Sequence, residues 1–588
     1  MNNIESPLFE QLRVINTVFE NAIDEEPSDY PDLYRKALES LQNTHLLKTQ
    51  LMPNQSRLIA SMVVHRQRMR NGFVRNGQMM RGKIGILADP PGSGKSLAAL
   101  TYLMPHVQTL LDPNTIQDNE LDPHSNRYFF SHGVSNRRLD ASCVDILIVP
   151  PHLIQQWTTE LDTHTRLEYI VLDNRRTLRN KTTPSLITNS KLMIISTRMY
   201  KDVYDFCQDH QITWRHVIID EAAAAHISPN DSLPSFEFMW LITSNWLGFL
   251  FKNVYINPHD LEYIRDRIPL NTDCEVWLDA MIKQDATIST PIEASNFIRN
   301  LIPWNHKERS ALILRNSSEN QIVYPSVESQ TIDCAVHFTI GTIPQLFIKN
   351  NYEGMTHEHL PLIFKALSVQ EYSIDRIKEL FESRLSLIKE KEGDDCSICL
   401  ESVQHKVMLP CCMNFFCGAC IFKHLLSQIY AKCPTCRAEL YFPSMMYIPT
   451  VTNQDASSNP VLNKHETCID YILKHPLEQH IVYSPFENNY YQVYPRLQER
   501  GIQCELVENH IAKFNKTIAN FHSGSTKVLF ISTMEMIRGL NLTLAKHLIF
   551  FGKCFSYEVY NVLLHSVLRV GRKPDSPLKL VHLKSCLE

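Results

Sequence analysis

Gly85-Ile-Leu-Ala-Asp-Pro-Pro-Gly-Ser-Gly-Lys-Ser96 decides how this chain is read. The apolar run Lys83-Ile-Gly-Ile-Leu-Ala88 leads into it and has the length and composition of a buried strand. Ser96-Leu-Ala-Ala-Leu-Thr-Tyr-Leu-Met104 leads out of it and reads as a helix. Strand, glycine-rich loop and helix are the context of a phosphate-binding loop. Gly92 and Gly94, flanking Ser93, let the backbone approach phosphate closely. Amides at the helix start point at the anion, and the helix dipole favours it. Lys95 is expected to reach the β and γ phosphates of ATP, and the Ser96 hydroxyl to ligate Mg2+. Where the strict pattern has glycine, this chain has Asp89.

Working outward, similar apolar runs recur at Val144-Asp-Ile-Leu-Ile-Val-Pro150, Lys191-Leu-Met-Ile-Ile-Ser196 and His216-Val-Ile-Ile-Asp220. A second series follows at His480-Ile-Val-Tyr-Ser-Pro485, Lys527-Val-Leu-Phe-Ile-Ser532, His547-Leu-Ile-Phe-Phe551 and Leu578-Lys-Leu-Val-His-Leu583. Runs of this kind, alternating with helical stretches, predict an α/β fold with strands buried on both faces of parallel sheets. One run ends in Asp220-Glu221, two carboxylates at the sheet edge where open α/β folds bind ligands. Asp220 is expected to hold Mg2+, and Glu221 to orient and deprotonate the attacking water.

At 588 residues the chain exceeds one hydrophobic core, and three or four domains are expected. Hydrophobic residues at 44% and charged residues at 21% are an ordinary globular balance. The net charge of −5 gives no global nucleic-acid footprint, so any such surface must be local. The most basic run is His65-Arg-Gln-Arg-Met-Arg70, followed by Arg75, Arg81 and Lys83. No signal peptide and no uninterrupted apolar span of membrane length stands out, so an intracellular protein with no membrane partner is expected.

Half of the 16 cysteines fall in one block: Cys396-Ser-Ile-Cys399, Cys411-Cys412, Cys417-Gly-Ala-Cys420 and Cys433-Pro-Thr-Cys436. Such density in one short segment argues for metal rather than disulfides. Four pairs of thiolates suit two tetrahedral Zn2+ ions.

The loop and the Asp-Glu strand end resemble those of Swi/Snf-type superfamily-two helicase-like ATPases. Ala88, Asp89, Gly92, Gly94, Lys95 and Ser96 follow the family's loop, with Pro90 where it has Glu. Leu51-Met-Pro-Asn-Gln55 resembles its upstream element, which implies that Gln55 reads the adenine edge. Leu147-Ile-Val-Pro-Pro-His-Leu-Ile-Gln-Gln-Trp157, Ser196-Thr197 and Ala311-Leu-Ile-Leu-Arg315 resemble further first-lobe segments. Gly539-Leu-Asn-Leu-Thr543 resembles motif V, and Leu568-Arg-Val-Gly-Arg572 resembles motif VI, with Arg569 as the arginine reaching the γ-phosphate. The departures fall in the coupling parts. Ala223 stands where the family has histidine, Ile242-Thr-Ser-Asn245 replaces motif III, and Val562, Ser566 and Arg572 replace motif VI residues. The resemblance implies two RecA-like parallel-sheet lobes and a motor tracking the backbone of double-stranded DNA.

The cysteine block resembles a RING finger, whose ligand pairs interleave. Cys396, Cys399, Cys417 and Cys420 would hold one zinc. Cys433 and Cys436 belong to the other with Cys411 and Cys412, His405 or His424 being alternatives for one of these. The common RING pattern would place histidine at Asn414. Ile398, Pro434 and Arg437 match the positions by which ubiquitin-ligase RINGs contact a ubiquitin-conjugating enzyme. A RING between Swi/Snf lobes resembles the postreplication-repair branch, which implies a nuclear location. It also resembles helicase-like proteins of large DNA viruses, which implies host cytoplasm or virion. The expected organisation is a helical N-terminal segment (1–45), an ATP-binding lobe (46–325), a helical connector (326–392), the RING (393–440), a linker (441–460) and a C-terminal lobe (461–588).

Overall fold

A computed structural model describes residues 7–110, 128–130, 143–290, 308–334, 390–447 and 462–585, apart from short internal stretches. Its core is two all-parallel sheets. The first has seven strands, in the spatial order Ile313–Leu314, Ile84–Leu87, Phe238–Ile242, Thr213–Ile219, Cys143–Val149, Leu192–Ser196 and Tyr169–Leu172. The strand leading into the glycine-rich loop is therefore second from one edge, and the Asp-Glu strand, two places away, is central. Every residue of Ile84–Leu87, Leu192–Ser196 and Phe238–Ile242 is buried, as continuous apolar runs require.

The second sheet runs Val327–Cys334, Leu578–Ser585, His547–Phe550, His480–Tyr483, Val528–Ile531 and Cys504–Leu506. The expected helical connector is corrected at its start, because Val327–Cys334 is an edge strand paired along its whole length with Leu578–Ser585. Its residues are mostly exposed, so backbone pairing rather than apolar burial holds it, and no apolar run marks it. The helix expected over 353–392 falls almost wholly outside the described residues.

The N-terminal segment is helical at Pro7–Glu20 and Pro31–Ser40, but it is not polar all round. Leu12, Ile15, Val18 and Phe19 are buried against the first lobe, and Phe19 lies edge-on to Trp246 at 6.0 Å. Ile23 N donates to Arg315 O at 2.7 Å, tying the segment to the last strand of that lobe. The cysteine block has a small antiparallel sheet of its own, Phe415–Cys417, Lys406–Met408 and Met446–Tyr447. The third strand lies within the expected linker, most of which is outside the described residues. No described helix is long and apolar enough to cross a membrane.

Candidate nucleotide site and cysteine centre

The C-terminal ends of both sheets face one cleft, lined by Gly92, Gly94, Lys95, Ser96, Asp220 and Glu221 from one lobe and Gly539, Ser566 and Arg569 from the other. Gly92 has φ +77°, and a Cβ there would meet Arg569 Cγ and Leu568 O at 2.8 Å. Only glycine permits that approach. The Lys95 ammonium arches over the loop, donating to Asp89 O at 2.6 Å and Pro90 O at 3.0 Å. Burial pulls its pKa down to about 8, against the nearby carboxylates of Asp89, Glu221 and Asp220. Ser93 is buried with a hydroxyl that has no partner, as a donor waiting for an anion would be.

Two residues fix Asp89. Asn316 N donates to its Oδ1 at 2.7 Å, and Asn316 Nδ2 donates to its Oδ2 at 2.6 Å. A carboxylate thus replaces the usual glycine because a strand-end asparagine satisfies it. Asn54 Nδ2 donates to Ser93 O at 3.1 Å. Neither asparagine was singled out from sequence. The signal for Asn316 is its place one residue past the Ile-Leu-Arg strand end, beside the loop.

Gln55, expected at the adenine edge, here braces the loop. It is buried, its Oε1 accepts from Met52 N at 2.9 Å, and its Nε2 donates to Gly94 O at 3.3 Å. Its oxygen closes the first turn of the helix Pro53–Asn71 in the manner of a capping box, and its nitrogen holds the loop, so both ends of the amide are engaged.

Glu221 adopts a left-handed backbone, φ 46° and ψ 45°, the kind of strain functional sites hold. Its N–H donates to Asp220 Oδ1 at 2.9 Å. Burial, with the Asp220 charge beside it, raises its pKa to about 7. Burial also raises that of Asp220, against a hydrogen bond from Trp157.

Arg569 reaches the cleft from the end of the helix Tyr557–Val567. Its Nη1 donates to Gly539 O at 2.6 Å and also to Leu540 O. Gly539, at φ +79°, lies so near the first lobe that a Cβ would meet Leu153 Cδ1 at 2.7 Å. Gln156 Nε2 crosses the cleft to Gly539 O at 2.7 Å. On the far side Tyr557 N donates to Thr287 O at 3.1 Å, and its ring meets Trp277 edge-on at 6.1 Å. The cleft is therefore closed. The free volume among these residues is about 40 Å³, room for a few waters, and a space of about 420 Å³ adjoins it, sharing Pro91, Ser244, Val562 and His565. Ser566 is buried, its hydroxyl donating to Leu563 O at 2.7 Å within its own helix.

Much of the basic run is taken up in internal bonding. Arg66 is buried, with Gln108 and His216 2.7 Å away and Glu237 also in contact. Arg68 forks onto Asp29, both bonds 2.6 Å, and Arg75 pairs with Glu308 at 2.9 Å. These arginines hold the helix Pro53–Asn71 and its neighbours together.

The eight cysteines gather into two groups with interleaved chain order. Cys396, Cys399, Cys417 and Cys420 form one, and Cys411, Cys412, Cys433 and Cys436 the other, each with sulfurs within 4.8 Å of one another. Gln404 N donates to Cys417 Sγ at 3.2 Å and Cys417 N to Cys396 Sγ at 3.4 Å, bonds that suit thiolates. Each donor set fits Zn2+. Asn414 is outside both groups, its Oδ1 accepting from Lys391 at 2.5 Å. His424 bonds Lys432 O at 2.8 Å instead, and His405 is outside the described residues. Leu400 and Arg437, each following the second cysteine of a Cys-x-x-Cys pair, share a left-handed backbone near φ +60°. Leu400 N donates to Cys396 O at 2.7 Å and Arg437 N to Cys433 O at 3.0 Å, so both pairs turn in the same way.

Two parallel-sheet lobes closing on a phosphate loop, a paired acid and an arginine define a helicase-like ATPase. The comparisons agree. The SNF2-related domain matches residues 55–247, and the helicase conserved C-terminal domain matches residues 463–574. A helicase of Acanthamoeba polyphaga mimivirus is 19% identical over 68% of this chain and 50% of its own length. The DNA repair protein RAD5B of Arabidopsis thaliana is 20% identical over 84% of this chain and 43% of its own. The helicase-like transcription factor of Oryctolagus cuniculus is 20% identical over 75% of this chain and 49% of its own. The chain spans about half the length of these relatives. It belongs to the Swi/Snf-type superfamily-two helicase-like ATPases.

Proposed function

We propose that this protein is an ATP-driven translocase on double-stranded DNA that also presents a RING finger to a ubiquitin-conjugating enzyme. The observation that carries the motor reading is the single cleft in which Lys95, Asp220, Glu221 and Arg569 face one another from two lobes. Bound ATP with Mg2+ supplies the phosphoryl group that is transferred to water. Lys95, the Gly92–Ser96 backbone and the Ser93 hydroxyl hold the phosphates, while Ser96 and Asp220 hold the metal. Glu221 takes the proton of the attacking water, and Arg569 balances charge as the bond breaks. DNA contacts are to the backbone and sequence-tolerant.

For the second activity, each cysteine group holds one Zn2+. Ile398 is 38% exposed, Arg437 is exposed and Pro434 is half-buried, as a docking surface needs. A nuclear site of action fits the repair and transcription relatives, and host cytoplasm or virion fits the viral one.

The buried, inward-bonded Ser566 favours a second reading, a slowly hydrolysing scaffold on DNA whose zinc finger only docks. ATP hydrolysis with and without duplex DNA separates the two. The motor reading expects DNA stimulation that Lys95→Ala or Glu221→Gln abolishes. Equal rates for wild type and Glu221→Gln on DNA would establish the scaffold.

A further inference from the structure

The second sheet presents its C-terminal end to the cleft and its N-terminal end to the outside of the lobe. At that outer end His480 and His547 begin neighbouring strands in register, their rings stacked 4.4 Å apart. His475 caps the helix Lys464–Lys474, and its ring centre lies 4.8 Å from that of His547. Glu478 sits in the turn between helix and strand, its N–H donating to His475 O at 3.1 Å. One ligand atom each from His475, Glu478 and His547 lies within 4.8 Å of the others.

We infer that His475, Glu478 and His547 bind one zinc ion, separate from the cysteine groups, with water as the fourth ligand. Two imidazoles and a carboxylate are a donor set that zinc takes when one position stays open. The surroundings are arranged for it. Tyr471 Oη lies 2.9 Å from His547 Nδ1 and fixes that ring, turning Nε2 toward Glu478 Oε2 at 2.5 Å. Such an outer partner for a ligating histidine sets the tautomer and orients the ring. His480 is fully buried and stacks on His547, which limits the movement of that ring. The side chains of His475 and Glu478 are 31% and 29% exposed, which gives the ion a way in.

The local rival for Glu478 is the Lys546 ammonium, 3.0 Å from its other oxygen. Lys546 is half exposed and swings into water at little cost, whereas His547 is fixed in its strand. A zinc ion here would staple the first helix after the cysteine module to the outer end of the sheet.

The test is zinc content of the full chain equilibrated with zinc sulfate and freed of excess metal, read by elemental analysis. Wild type is expected to hold three ions. His475→Ala and Glu478→Gln are each expected to hold two, with the thiolate-to-metal absorption of a cobalt-substituted sample unchanged. Lys546→Gln should tighten the third site severalfold. Both ligand variants replace partly exposed side chains, so circular dichroism should confirm an unaltered fold. A zinc count unchanged between wild type and both variants overturns the inference. A cysteine centre that bound no metal would remove two ions and leave the His475-dependent one, so the two failures are distinct.

Discussion

The Trp157 indole Nε1 donates to Asp220 Oδ2 at 2.7 Å. A tryptophan from the helix Ile154–His164 thereby holds the carboxylate at the end of the Asp-Glu strand. The other oxygen accepts from Glu221 N, so the carboxylate cannot rotate freely. Trp157→Phe keeps most of the buried ring and removes the donor. The Mg2+ concentration for half-maximal ATP hydrolysis should rise about tenfold, the usual scale for losing an outer partner of a metal ligand. Hydrolysis measured against Mg2+ at fixed ATP checks this, and an unchanged midpoint would show that the bond only packs.

Arg569 enters the cleft lining from the second lobe, while Ser566 occupies the position one helical turn earlier. Arg569→Ala should lower hydrolysis by about three orders of magnitude, as removal of a transition-state arginine does. Ser566→Arg restores a second cation to the same wall and should raise the rate severalfold. Single-turnover hydrolysis with saturating nucleotide reads both. Unaltered hydrolysis in Arg569→Ala would mean another group serves the γ-phosphate.

Away from the cleft, Asp145 accepts from Arg215 Nε and from His216 Nδ1, each at 2.8 Å, and is itself buried. Burial pushes its carboxyl up, but the His216 ring and the Arg215 guanidinium outweigh burial and hold it at about 2. A depressed folded value stabilises the fold at pH above the unfolded value of about 4, and that contribution is lost as pH falls from there toward 2. Asp145→Asn should therefore lower the urea midpoint clearly at pH 5 and by about half as much at pH 3. An equal loss at both pH values would assign the effect to packing.

Zinc retention and ubiquitin transfer reside on different residues of the cysteine module. Cys433→Ser leaves its group one thiolate short and should cost that zinc and the module's folding. Arg437→Ala removes no ligand, and alanine pays the same left-handed backbone strain as arginine at φ 60°. Two cysteine-bound zincs should remain, while autoubiquitination with a panel of conjugating enzymes falls, because alanine replaces no guanidinium contact. Full transfer activity in Arg437→Ala would remove this residue from the docking surface.

Sequence periodicity located most of the strands that are buried on both faces, because their apolar runs are continuous, but passed over Phe238–Ile242, which is equally apolar and equally buried. It missed Val327–Cys334, whose polar residues are carried by backbone pairing at a sheet edge. The cleft was legible where chemistry restricts residue type, at Lys95, Asp220, Glu221 and Arg569. It was not legible at Asn316 or Asn54, whose roles arise only when a strand end or a helix start is brought beside the loop. Residue type alone does not reveal the internal bonds of Gln55, Arg66, Arg68 and Arg75, since amides and arginines serve internal bonding as readily as ligands. The grouping of Cys411 and Cys412 with Cys433 and Cys436 was implied by the RING resemblance, with His405 or His424 open as replacements, and the structure brings the four cysteines together.

The pairing of Val327–Cys334 with Leu578–Ser585 also orders events on the ribosome. The upstream strand is synthesised before the cysteine module, and its partner comes roughly 250 residues later. Through that interval its neighbour does not exist, and its polar, charged side chains are what keep a lone strand soluble. The first lobe can close its sheet as soon as Leu314 has emerged. The second must wait for Leu578–Ser585, well after the cysteine module has been made. Nascent chains stalled just before Leu578 would carry a complete phosphate loop and no working motor.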